Sequence, residues 1–190
     1  MRSSPLTWFV MHVLAAVAGI GQSDCERVAG TSLAQPVLAI TSLAYVVVGV
    51  AVLFCAMRGR GALALAAGVV LIAVGVGSFI YHGPQPPWAG PVHDLPIIAL
   101  GAVCVVGLVR SIRNQWRLWL TAAGIFSVAL LAYAAGRSGS PLCRPDSLWQ
   151  FHGAWHVLTA AAAGCAALAM GRRREGMSAT HVGAGPTTVQ

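Results

Sequence analysis

The sequence predicts an all-α integral membrane protein, a bundle of about six transmembrane helices. Three observations lead there. Mean hydropathy is +0.73. Charged residues make up only 9% of the chain, where a soluble domain carries about 25%. Apolar runs recur at membrane-spanning length, and the arginines cluster in the short stretches between them. With 190 residues the chain has room for one domain.

Taken in order, the apolar runs lie at about 6–20, 36–57, 62–82, 91–109, 117–136 and 150–170. A span needs about 20 residues, and the last five runs meet that length. The first is short, follows Arg2 and contains Ala16-Val17-Ala18. It is either a retained helix or a cleaved signal segment. Trp8 and His12 suit the retained helix better. The expected organisation is therefore an N-terminal helix or signal segment at 1–22, a transmembrane domain of five core helices at 23–171, and a disordered cytoplasmic tail at 172–190, rich in Gly, Ala, Ser and Thr.

The net charge of +7 comes from 12 arginines and no lysine. In a soluble chain such a balance suggests nucleic acid. Here topology explains it, and no nucleic-acid partner is expected. Six spans put Arg2, Arg58, Arg60, Arg110, Arg113, Arg117 and Arg172 to Arg174 on one side, and Arg27, Arg137 and Arg144 on the other. The positive-inside rule then makes both termini cytoplasmic in a multi-pass cell-membrane protein. The segments near 21–35, 83–90 and 137–149 face outside.

Cys25 and Cys143 both fall in outside segments, an oxidising location. A bridge between the first and third segments is expected, the alternative being two free thiols. Cys55, Cys104 and Cys165 lie within spans and read as small buried apolar residues. Trp88, Trp116, Trp119, Trp149 and Trp155 fall near span ends, as an interfacial belt would place them.

Polar residues inside the spans carry the functional signal. His152 and His156 stand four residues apart, so both imidazoles share one helix face. Ser78 and His82 have the same spacing at the outer end of the third run. Gly75 and Gly77 beside them allow another helix to come close. Asp94 opens the fourth run. Topology brings these outer ends to one depth, so Ser78, His82, Asp94, His152 and His156 can converge. Three imidazoles and a water make a tetrahedral catalytic zinc site, and the all-nitrogen donor set suits zinc better than iron or copper. Asp94 would serve as general base and Ser78 as hydrogen-bond donor to a developing oxyanion. The plainer alternatives are a helix-end charge for Asp94 and a helix–helix hydrogen bond for Ser78. His93 points about 100° away from Asp94 on a helix, which suggests a supporting position or solvent. His12 and His181 read as ordinary interfacial or surface residues.

Gly-Ser-Phe-Ile-Tyr-His (77–82), His-Asp-Leu-Pro (93–96) and Phe-His-Gly-Ala-Trp-His-Val-Leu-Thr (151–159) resemble the motifs of the alkaline ceramidases. That family belongs, with the progestin and adiponectin receptors, to a superfamily of heptahelical membrane hydrolases. Asp24-Cys25-Glu26 resembles the acidic Cys-containing motif before its first core helix. The resemblance covers about 24–160. It implies that His82, His152 and His156 hold zinc, that Ser78 and Asp94 are catalytic, and that Cys25 pairs with Cys143. Asp24 and Glu26, with His93, become candidates to support the ligands. It also implies cleavage of the amide of a ceramide-like N-acyl lipid, releasing a fatty acid, and the arginine distribution would open that site to the outside.

Three departures stand beside it. The interval from His82 to Asp94 is one residue longer than in typical ceramidases, which have an acid at the place of His93. Of the acids and Asn that bind calcium in eukaryotic members only Asp24 and Glu26 are present, so calcium is not expected. The core has about five helices rather than seven. The expected partners are the bilayer and a membrane lipid substrate, with oligomeric state left open. A receptor-like protein with a structural zinc is the main alternative. A transporter is disfavoured because the inner halves of the spans carry no ionisable residue.

Overall fold

A computed structural model describes residues 23–59 and 61–171. The expected N-terminal segment, the tail, Arg60, His12 and His181 lie outside the described residues. Among the described residues there are four helices and no strand: α1 (Pro36–Gly59), α2 (Ala62–His82), α3 (Ala89–Ala135) and α4 (Phe151–Gly171). All four are long and apolar enough to cross a membrane.

The boundaries follow local chemistry. Pro36 opens α1 at the one position where its missing N–H costs nothing. Glu26, ten residues upstream, accepts hydrogen bonds from the N–H groups of Val37 and Leu38, both at 2.8 Å. A carboxylate there satisfies two orphan donors and complements the helix dipole. Arg58 sits in the last turn of α1, where a cation suits the carbonyl end, and packs 3.9 Å over the Phe54 ring.

The fourth and fifth apolar runs are fused into α3, whose 47 residues would span about 70 Å if straight. The hydrocarbon core is only about 30 Å thick. The helix breaks at Gln115 (φ −128°, ψ 30°) and folds back on itself. Trp119 Nε1 donates across the break to Ser111 Oγ at 2.9 Å. Trp119 and Ala122 pack with Cys104 and Ile112 of the first half and with Ala166 and Ala169 of α4. Val92 lies against Gly77 at one end of α3, and Tyr133 lies against His152 at the other. Both termini of α3 therefore return to the same end of the bundle. Trp119 is thus a buried wedge in this hairpin rather than part of an interfacial belt, whereas Trp88, Trp116 and Trp149 are exposed.

The core is thin and built from small residues. Tyr45, Val52, Ala67, Leu71, Val74, Ala160 and Ala167 join α1, α2 and α4. Outward-facing Val47, Ile98, Val109, Leu131 and their neighbours form an apolar perimeter, as expected where the solvent is lipid. Close approach depends on glycine at Gly77, where an added Cβ would come within 2.2 Å of the Val92 carbonyl oxygen.

One end of the bundle carries the segments 23–35, 83–88 and 136–150. There Cys25 and Cys143 form a disulfide. Asp24 and Arg137 form an isolated antiparallel bridge, and Cys25 N–H donates to the Gly136 carbonyl at 2.8 Å. The Arg27–Asp146 ion pair, at 2.6 Å, adds an exposed tie. These links lay the first segment across the mouth of the bundle and drop Asp24 into it.

Candidate metal centre and its cavities

His82 ends α2, and His152 and His156 occupy the first turns of α4. All three are buried, and one ring nitrogen from each lies within 4.8 Å of the others. Idle polar groups are expensive at this depth, so three buried imidazoles facing one another require a purpose.

Hydrogen bonds around His82 and His156 assign the roles of their ring nitrogens. His82 Nδ1 lies 2.9 Å from Gln35 Oε1. An amide oxygen only accepts, so Nδ1 carries the proton and Nε2 keeps a lone pair. His82 Nε2 is buried and has no hydrogen-bond partner. Thr41 Oγ1 lies 3.2 Å from His156 Nδ1 and gives its own proton to the Val37 carbonyl at 2.8 Å. With its own proton so placed, Thr41 accepts from His156 Nδ1–H, and His156 Nε2 keeps a lone pair. His152 Nδ1 lies 3.1 Å from Asp24 Oδ1. The oxygen stands off the N–H direction, so that contact is a close ion-pair distance without hydrogen-bond geometry. Each imidazole thus has an orienting neighbour: Gln35, Thr41 and Asp24. Three oriented imidazoles around the orphaned His82 Nε2 fit a divalent metal such as zinc.

Asp24 is the buried acid of the site, its side chain 4% exposed. It also lies 3.4 Å from Arg137 Nη1 and 4.0 Å from His82 Nδ1. Burial alone would push its carboxyl up. The pull of His152, His82 and Arg137 outweighs that and holds it below the ordinary carboxylate range. Glu26 is displaced the other way, raised by burial despite the two N–H groups it caps.

A cavity of about 270 Å³ lies over the histidines. Ser78, Tyr81, His93 and Arg137 are part of its wall. Ser78 is buried one turn before His82, as expected from their spacing. Asp94 does not line it. Its carboxylate is 68% exposed and accepts from His93 Nδ1–H at 2.7 Å. His93 faces the cavity instead, stacked on Tyr81 with ring centroids 4.4 Å apart. The 100° step between neighbours on a helix therefore selects His93.

A second cavity of about 460 Å³ adjoins the first, deeper in the bundle. Leu100, Leu108 and Phe126 make part of its apolar wall, with Ala122, Ala163 and Ala166 leaving the space. Tyr45, Ile97 and Trp155 line both cavities. Trp155 packs on Phe126 and Tyr133 at this neck, with centroids 5.8 and 5.1 Å away.

No family model, curated protein or solved structure matches the chain. What the site can do follows from its own donors. It offers three oriented nitrogens, an ionised acid behind them, a hydroxyl and a further imidazole at the rim, and an apolar chamber below.

Gln35, Thr41 and Tyr45 are site residues that sequence reasoning missed. Gln35 directly precedes the proline that starts α1, and Thr41 interrupts an apolar run. A polar residue one or two turns into a span was the available signal.

Proposed function

We propose that the protein is a zinc-dependent membrane hydrolase that cleaves the amide of a ceramide-like N-acyl lipid and releases a fatty acid. The observation that carries this reading is the three-histidine cavity lying beside an apolar cavity, with Tyr45, Ile97 and Trp155 lining both. A polar reaction site joined to a lipid-sized apolar space suits a substrate with a scissile group at the head of a long chain. The resemblance to alkaline ceramidases supplies the amide. Four membrane-length helices support a multi-pass membrane setting. The Cys25–Cys143 bridge supports an outward-facing site with cytoplasmic termini. The sixth, N-terminal helix belongs to the same proposal.

His82, His152 and His156 hold the metal, which when bound supplies a Lewis acid and an activated water. Gln35, Thr41 and Asp24 keep the three rings oriented. His93 accepts the water's proton at Nε2, because its Nδ1–H is committed to Asp94. Asp94 acts through His93 and steadies the imidazolium, as the acid of a hydrolase triad does. Ser78 donates a hydrogen bond to the carbonyl oxygen as charge develops there. The water oxygen adds to the carbonyl carbon, the C–N bond breaks, and His93 returns the proton to the departing amine. The acyl chain occupies the apolar chamber, and the head group meets the outer segments.

A receptor-like protein with a structural zinc would close the site with a fourth protein ligand. Among the described residues the group of converging donor atoms consists of the three histidines only, which favours the open, catalytic reading. The test is to incubate purified protein with a panel of N-acyl lipids and follow fatty acid by mass spectrometry. Metal-dependent release from at least one long-chain amide is expected. No release from any of them by zinc-loaded protein would refute the hydrolase.

A further inference from the structure

The wall shared by the two cavities carries one side-chain acceptor in a position to read the substrate. Tyr45 reaches it from α1 and is 5% exposed. Its hydroxyl bonds to the hydroxyl of Thr159 on α4. Thr159 Oγ1 also lies 2.6 Å from the Trp155 carbonyl oxygen, which can only accept. The single Thr159 proton therefore goes to Trp155. Tyr45 must be the donor to Thr159, which leaves the Tyr45 oxygen with a free lone pair. The other two residues shared by both cavities, Ile97 and Trp155, offer no side-chain acceptor. Below the neck, the Trp119 indole N–H is already committed to Ser111.

The Tyr45 ring lies 6.1 Å from the His156 ring, centroid to centroid, so a chain whose carbonyl sits at the histidines and whose tail fills the apolar cavity passes Tyr45 near its head. We propose that Tyr45 is a specificity-determining acceptor, selecting acyl chains with a hydroxyl on the second or third carbon. This rests on the acyl-chain reading of the apolar chamber. The Tyr45–Thr159 pair is satisfied without a ligand, so an unsubstituted chain strands no donor. The preference is then that of one added neutral hydrogen bond, about fivefold to tenfold, not the far larger exclusion seen where a buried donor is left unpaired.

The experiment measures equilibrium binding of long-chain fatty acids of one length to the zinc-loaded, full-length protein in detergent micelles. The ligands are the unsubstituted, 2-hydroxy, 3-hydroxy and corresponding methoxy acids. One of the hydroxy acids should bind about fivefold to tenfold tighter than the unsubstituted acid. Its methoxy analogue, which has no proton to donate, should lose that gain. Tyr45→Phe should bring the hydroxy-to-unsubstituted ratio close to one. Equal binding of all chains overturns the proposal, as does a methoxy acid that binds like its hydroxy partner. A ratio that persists in folded, metal-loaded Tyr45→Phe overturns it too. The methoxy comparison stands if Tyr45→Phe does not fold. Because binding is read without turnover, a protein that discriminates the acids but cleaves no amide would leave this inference standing and remove the hydrolase.

Discussion

His82 and His156 differ from ordinary helix-end histidines in having their outer nitrogens already hydrogen-bonded, and His152 has the Asp24 carboxylate beside it. That predicts a graded response to substitution. His152→Ala should lose the metal, measured as a fall from about one zinc per chain by elemental analysis. Full metal retention would remove His152 from the ligand set. Gln35→Leu removes only the partner of His82 Nδ1. Metal affinity should fall about 10- to 100-fold by competition with a chelator, the usual effect of losing an orienting partner. At the rim, His93→Gln should keep the metal and lower turnover by about 10²- to 10⁴-fold, the range for a lost general base. Asp94→Asn should do less, since its carboxylate touches the reaction only through His93. A larger loss in Asp94→Asn than in His93→Gln would return the base to Asp94.

Elements matter through how closely they pack. Gly77 lets α2 meet the start of α3, and a valine there would drive its side chain into the Val92 carbonyl. Gly77→Val should separate His82 from His93 and abolish activity, with a lowered melting temperature in detergent. A variant with wild-type melting and turnover would mean that this contact yields freely. The first segment is held over the site by backbone pairing and by the disulfide. Cys143→Ser should weaken metal binding, because Asp24 then depends on hydrogen bonds alone to stay beside His152. Chelator competition with and without a reductant measures this, and wild-type protein under reducing conditions should match the variant. The exposed Arg27–Asp146 pair should contribute little.

At the scale of the whole molecule, the hairpin at Gln115 places all the chemistry at one end and leaves the other end to arginines. Cysteine-accessibility labelling at Ser140 and at Ser178 should therefore report opposite sides of the membrane. Ser178 itself lies outside the described residues. Labelling of both from the same side would overturn the outward-facing site. The apolar chamber extends from the neck towards Leu108, and apolar burial contributes about 0.8 kcal/mol per CH₂. Long-chain amides should thus have a much higher kcat/KM than acetyl analogues in matched detergent, mainly through KM. Equal kcat/KM values for the two would remove the acyl role of the chamber.

The amino-acid sequence by itself determined the membrane class, the limits of the helices Pro36–Gly59, Ala62–His82 and Phe151–Gly171 to within two residues, and the histidine cluster. Each of these is a one-dimensional pattern: apolar length against bilayer thickness, and a four-residue interval against the helical repeat. Cys25 and Cys143 could be paired because one charge rule put both on the same side. Tertiary structure alone decided what lies beside what. It turned two predicted spans into one broken helix, because Gln115 can reverse the chain without a loop that sequence would mark. It committed the Glu26 carboxylate to capping α1 and brought Asp24 against His152. It turned His93 inward and Asp94 outward, since one step of helix phase separates them and the phase of α3 is set where Gly77 meets Val92. The polar partners Gln35, Thr41 and Tyr45 were hidden for the same reason. A single polar residue in an apolar run declares its cost, and only packing shows which group repays it.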